Sequence, residues 1–186
     1  RARRGVPDPY VGLGDGTLIV ERNYLSDPAL VELFPDAPRA LNRLQAAGFR
    51  LFLVTNQSGI GRGYYSVVDL HRVHERLLAL LAADGVKIDR IYFAPEAPDQ
   101  PSRGRNPPPQ FLFDARDEFA LDLGRSYVVG DKLIDLECGW NAGVRRSLLV
   151  RTGYGAETER AGSARLAAAT VVDDLSAAVD WILGEP

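Results

Sequence analysis

The chain is poor in the residues that staple or ligate. Cysteine occurs once, at Cys138, so neither an internal disulfide nor a cysteine-rich zinc site can form, and Cys138 reads as packing. Histidine occurs twice, at His71 and His74; with no third ligand nearby, the pair reads as structural rather than metal-binding. Lysine also occurs twice, at Lys87 and Lys132, so all but two of the 22 basic Lys and Arg residues are arginine. Methionine is absent even at position 1, and the native amino terminus is expected to be trimmed or to lie further upstream. No apolar run reaches the ~20 residues of a membrane span, and no signal-peptide core is visible. No membrane partner and a cytoplasmic location are therefore expected. The net charge of −3 offers no basic surplus and indicates no nucleic-acid partner.

What is present is an ordinary globular balance, 186 residues with 46% hydrophobic and 25% charged. That length fits one domain over residues 1–186 and suffices to bury a core without staples. Short apolar runs alternate with helical patterns. Strands are predicted at Tyr10–Leu13, Arg50–Val54, Ile88–Phe93, Ser126–Val129, Ser147–Val150 and Thr170–Val172. Helices are predicted at Pro35–Ala47, with Gly48 ending it, at Ser66–Ala83 behind a Ser66/Asp69 capping pattern, and at Gln110–Leu121, Lys132–Ala142 and Leu175–Leu183. Between them, residues 94–109 hold six prolines and form a long loop. Such alternation implies an α/β fold with a doubly wound, mainly parallel sheet. Ligands then sit beyond the carboxyl ends of the strands.

The strand ends carry the polar residues. Gly14-Asp15-Gly16-Thr17 follows the first strand, Thr55-Asn56-Gln57-Ser58-Gly59 the second, and Gly130-Asp131-Lys132 the fourth, with Asp135 one turn on. Asp-Gly-Thr by itself is a common turn, and Asp131 could simply cap a helix. Small polar residues directly after a buried strand are more telling, because their N–H and hydroxyl groups suit a phosphate. Aspartates on neighbouring loops suit a hard cation such as Mg²⁺, and Lys132 adds a point charge.

Several segments together resemble the haloacid dehalogenase superfamily of phosphohydrolases, in its D-glycero-D-manno-heptose bisphosphate and histidinol-phosphate phosphatase branch. They are Asp15-Gly16-Thr17, Asn23-Tyr24-Leu25, Leu44 to Gly48, Thr55 to Gly63, Val129 to Lys132 with Asp135, Ala142-Gly143 and Leu148 to Gly155. Arg62-Gly63 and the RTGYG end favour the heptose branch. The resemblance implies a Rossmann-like fold without a large cap, since only 39 residues separate Asp15 from Thr55. It implies an aspartate nucleophile ending the first strand, an acid–base aspartate two residues later, a Thr/Asn phosphate turn, a charge-offsetting lysine, and Mg²⁺ held by carboxylates. Carried onto this chain, Asp15 takes the acid–base position and Thr55, Asn56 and Lys132 bind phosphate. Gln57, Ser58, Arg62 and Arg105 contact substrate, and Asp15, Asp131 and Asp135 hold a weakened Mg²⁺.

Three positions depart from the pattern. The nucleophile position is Leu13, the motif lysine is Asn106, and the positions of the family's zinc clasp read Ala94, Glu96, Ser102 and Gly104, so no zinc is expected. Leucine can neither form an acyl phosphate nor bind a cation. The expectation is a catalytically impaired homologue that retains a role in binding a phosphorylated sugar or a protein partner. One alternative is an active Mg²⁺-dependent phosphatase of altered chemistry using Asp15, Asp131 and Lys132. Another is an interaction module of a larger assembly, suggested by Arg1, Arg3 and Arg4. The case against catalysis depends on the strand register that places Leu13 two residues before Asp15; Asp8 would need another.

Overall fold

The computed structural model describes residues 6–186; Arg1, Arg3 and Arg4 lie outside them. Six strands form one sheet, β1 (Tyr10–Leu13), β2 (Arg50–Asn56), β3 (Arg90–Ala94), β4 (Tyr127–Gly130), β5 (Arg146–Val150) and β6 (Thr170–Val172). Their order is β3-β2-β1-β4-β5-β6, and every pairing is parallel. The chain winds outward from β1 through β2 to β3, then crosses back to β4 on the other side. The switch point of strand order therefore falls at the carboxyl end of β1, where a doubly wound sheet opens a crevice.

Alternation along the strands sorts two cores. Val11, Leu13, Leu51, Leu53 and Val129 face the layer built from α2 (Ala37–Ala46), α4 (Val67–Ala83) and α8 (Leu175–Gly184). Tyr10, Phe52, Val54 and Val128 face the layer of α5 (Gln110–Phe119) and α6 (Leu133–Ala142). Helices on both faces explain why the strands read as near-continuous apolar runs. No described helix is long and apolar enough to cross a membrane.

The expected elements are all present, with shifted ends. Helix α2 starts at Ala37 rather than Pro35. Strand β2 runs two residues past Val54, because Thr55 and Asn56 stay in register with Phe93 and Ala94 of β3. The Ser66/Asp69 box at the start of α4 is reciprocal, with both hydrogen bonds made. Two four-residue helices sit directly after strand ends, α1 (Asp15–Leu18) after β1 and α3 (Ser58–Gly61) after β2. A third short helix, the six-residue α7 (Gly155–Arg160), follows β5. Between β1 and β2 lie only α1, a 3₁₀ turn at Pro28–Leu30 and α2, so no cap domain is inserted there.

Candidate active site

The site is assembled where β1, β2 and β4 end. Gly14 N donates to the Val129 carbonyl (3.0 Å), and the Thr17 hydroxyl donates to the Gly14 carbonyl (2.5 Å). These two bonds tie the β1 turn to β4 and turn the chain into α1, so that Asp15 stands on its first residue. The Asp15 carboxylate accepts from the Thr55 hydroxyl (2.6 Å) and from Gln57 Nε2 (3.1 Å). Gln57 is itself held, its Oε1 accepting from the Tyr65 hydroxyl. Burial pushes the Asp15 carboxyl up to about 6, against the Thr55 hydrogen bond that lowers it.

The β4 side is built with equal closeness. Asp131 is 2% exposed and accepts from Tyr154 N (2.9 Å). Gly16 and Gly153 press against its carboxylate so tightly that a Cβ on either would collide with it. Burial raises the Asp131 carboxyl, with Tyr154 N and Lys132 pulling it back. Asp135 accepts from Asn106 Nδ2 (3.1 Å) and from Lys132 N (3.3 Å). Burial first, and the neighbouring Asp131 second, push Asp135 up to about 7. Lys132 Nζ stands 4.7 Å from the centroid of the Tyr154 ring.

These groups enclose a cavity of about 240 Å³. Asp15, Thr55, Asn56 and Gln57 line it from the β1 and β2 ends, with Ser58 beside them. Asp131, Lys132 and Asp135 line it from β4 and α6. Two expected substrate contacts are not among its lining residues. Arg62 is exposed after α3, and Arg105 turns its guanidinium to the Glu96 carbonyl (3.1 Å) within the proline-rich loop. That loop closes on itself through Ser102, which donates to Glu96 (2.8 Å) and accepts from Arg105 N (3.1 Å). It reaches the site through Asn106, whose N donates to Asn56 Oδ1 (3.0 Å).

The register of β1 is unambiguous. Leu13 pairs with Leu53 and Val129, is 1% exposed, and packs into the core below the cavity. Asp8 lies at the opposite end of the strand, paired with Leu121 and 3.8 Å from Arg50, and cannot stand in for it.

Asp15, Asp131 and Asp135, expected to share a Mg²⁺ ion, stand on one cavity. Each carboxylate is engaged by a different donor, and among the described residues no three His, Cys, Asp or Glu side chains are arranged to hold a metal. Leu13, at the end of β1, brings no oxygen. The residues present do not fit a three-carboxylate metal site.

Tyr24, Tyr65, Tyr154 and Glu21 also line the cavity, with no role expected from the sequence. Tyr24 and Tyr154 stand in the Asn23-Tyr24-Leu25 and RTGYG segments, Tyr65 follows the glycine-rich turn, and Glu21 has no motif at all. Tyr24 and Tyr154 were visible only as parts of a resemblance, without a role.

An all-parallel α/β sheet with this polar edge defines the class of haloacid dehalogenase-like hydrolases, and the family model described as HAD-hydrolase-like matches residues 104–178. A D-glycero-D-manno-heptose-1,7-bisphosphate 7-phosphatase of Thermosynechococcus vestitus is 38% identical over 95% of this chain and 96% of its own. The protein of that name from Chlorobaculum tepidum is 37% identical over 92% of each. The crystal structure of the D,D-heptose 1,7-bisphosphate phosphatase from B. bronchiseptica, complexed with magnesium and phosphate, superposes with a TM-score of 0.86 at 28% identity, covering 96% of this chain and 99% of that one. The chain belongs to the heptose bisphosphate phosphatase family.

Proposed function

We propose that this protein is a catalytically impaired member of its family that binds a phosphorylated sugar. The observation that carries this reading is Leu13, fixed by its pairing with Leu53 and Val129 at the position that the family resemblance gives to the nucleophile. Covalent phosphoryl transfer needs an oxygen there, and the side chain is a buried hydrocarbon. Asn106 supports the same reading, since a neutral amide replaces the charge that would offset the transferring phosphoryl. Thr55, Asn56 and Lys132 remain on one cavity and supply hydroxyl, amide and ammonium donors for a phosphate. Divalent-cation affinity is weakened by the loss of the carboxylate at position 13.

The test is turnover of D-glycero-D-manno-heptose 1,7-bisphosphate with Mg²⁺. The expected result is none above background, together with saturable binding of the sugar phosphate by calorimetry. Turnover at an ordinary enzyme rate, roughly 1–10³ per second, overturns the proposal. A second reading, an active phosphatase of altered chemistry, has one observation in its favour: Asp15 is held near pH 6 beside the phosphate turn. It requires that any turnover disappear in Asp15→Asn.

A further inference from the structure

We propose that Tyr24, backed by Tyr64, is a specificity-determining wall that favours ligands whose phosphate is carried on a closed sugar ring over open-chain polyol phosphates. The inference rests on the reading of the cavity as a phosphate-ester site. Among the described residues, two that are not glycine have positive φ, Ala120 and Tyr24. Ala120 is accounted for as the left-handed residue that ends α5. Tyr24, at φ 54°, stands in the Asn23–Tyr24 turn and terminates no helix, and a left-handed backbone is unfavourable for an aromatic residue.

The conformation has a visible result. It carries the ring over Gly59, where an added Cβ would run into both Tyr24 and Tyr65. It also sets the ring edge-to-face on Tyr64, 4.7 Å between centroids at 73°. Even so, Tyr24 stays 47% exposed and Tyr64 59% exposed. A strained backbone is thus spent on holding an aromatic surface open to solvent at the cavity wall, the arrangement expected of a contact completed by a ligand.

The wall is also held in place. Next to Tyr24, Asn23 Oδ1 accepts from the Tyr154 hydroxyl (2.7 Å), which ties this segment to the β5–α7 turn, and the Tyr154 ring meets Lys132. A tyrosine so fixed offers a flat apolar face at little further entropic cost. A pyranose presents a matching flat face of C–H groups while its phosphate reaches Thr55, Asn56 and Lys132. An open-chain polyol has no persistent face and must be ordered on binding, which costs affinity.

The experiment is calorimetry with three probes, mannose 1-phosphate, mannitol 1-phosphate and inorganic phosphate, on wild type, Tyr24→Phe, Tyr24→Ala and Tyr24→Gly. Wild type should bind mannose 1-phosphate more tightly than the other two. Tyr24→Ala and Tyr24→Gly should each lose about tenfold for mannose 1-phosphate and less than about twofold for the other probes, while Tyr24→Phe stays close to wild type. Glycine tolerates the positive φ, so its loss isolates the ring from the strain. Equal binding of the ring and open-chain probes, or equal losses across all probes in the Tyr24 variants, overturns the wall. If none of the three probes binds wild type, the phosphate-ester reading itself has failed, and the wall fails with it.

Discussion

The strands on either side of β1 and the end of β1 itself have fared differently. At the ends of β2 and β4, the Thr55–Asn56 turn and the Asp131–Lys132 turn stand complete around the cavity, cross-linked by hydrogen bonds from Thr55, Gln57 and Tyr154. At the end of β1 and in the loop after β3, the two groups expected to carry charge in the reaction are Leu13 and Asn106. The difference follows from what each part does for the fold. Thr55 and Asn56 are strand residues in register with β3, and Gly16 and Gly153 leave the space that Asp131 fills. Those features are built into the packing. A nucleophile is one side chain at a strand end, and a leucine there packs into the core better than a carboxylate does. On the proposed reading, binding is thus tied to the architecture, whereas transfer chemistry can be removed by single substitutions.

The sharpest way to break this comparison is to restore the altered groups. Leu13→Asp combined with Asn106→Lys should raise Mg²⁺-dependent hydrolysis of the heptose bisphosphate by at least about a thousandfold over wild type, since removing a covalent nucleophile commonly costs that much or more. Leu13→Asp alone should gain far less. It adds a carboxylate to a site that already holds Asp15, Asp131 and Asp135, with no new cation to offset it. A silent double variant, folded by circular dichroism, would mean that the ends of β2 and β4 have been remodelled as well.

The intact strand ends can be broken from within. Gly16→Ala places a methyl against the buried Asp131 carboxylate and should destabilise the protein by roughly 1–3 kcal/mol in urea. Gly184→Ala, with nothing within 4 Å of the new Cβ, is the control and should move the midpoint little. Equal midpoints for the two variants would show that the Asp131 turn is loosely packed after all. Smaller again is Thr55→Val, which leaves one acceptor site of Asp15 without its hydroxyl donor. It should cost about 0.5–1.5 kcal/mol of stability, since Gln57 still donates to Asp15, and weaken binding of inorganic phosphate, read from the same denaturation curves and from calorimetry.

Much of this site was legible in the sequence. Buried strands bounded by glycine identified β1, β2, β4 and β5, and the residues just beyond them named Asp15, Thr55, Asn56, Asp131, Lys132 and Asp135, all of which line one cavity. Thr55 and Asn56 read as loop because they are polar, yet the ladder to β3 continues through them. The four-residue helices α1 and α3 are too short to show a period. Arg62 and Arg105 were misplaced for a different reason: a long side chain points where its tertiary partners are, and for Arg105 that is the Glu96 carbonyl. The metal trio shows the same limit, for sequence brings three carboxylates to one edge but does not say which donors they face. The tyrosines around the cavity carry no motif chemistry, and among them Tyr24 alone is singled out by exposure and backbone conformation.

The smallest expected effect compares the apolar wall of the cavity with its acidic floor through pH. His74 lines the cavity from α4, is 8% exposed, and lies edge-on to Phe93 with 6.1 Å between centroids. Burial, helped by His71, lowers its imidazolium to about 4 from an ordinary 6.5. Between those values the unfolded chain binds the extra proton, so the His74 contribution is complete above pH 6.5 and is lost as pH falls toward 4. Asp15 and Asp135 act in the opposite sense. Their folded carboxyls are raised from 3.8 to about 6 and about 7, so the folded protein holds the extra proton, and their contribution fades as pH rises through that range. In wild type the two slopes partly cancel across pH 4–6.5. His74→Phe removes one of them, and its urea midpoint relative to wild type should rise on going from pH 7.5 to pH 5. Asp135→Asn removes part of the other and should shift the opposite way. If both variants keep the same offset from wild type at the two pH values, neither group is held away from its ordinary protonation, and the contrast between the two walls is one of packing alone.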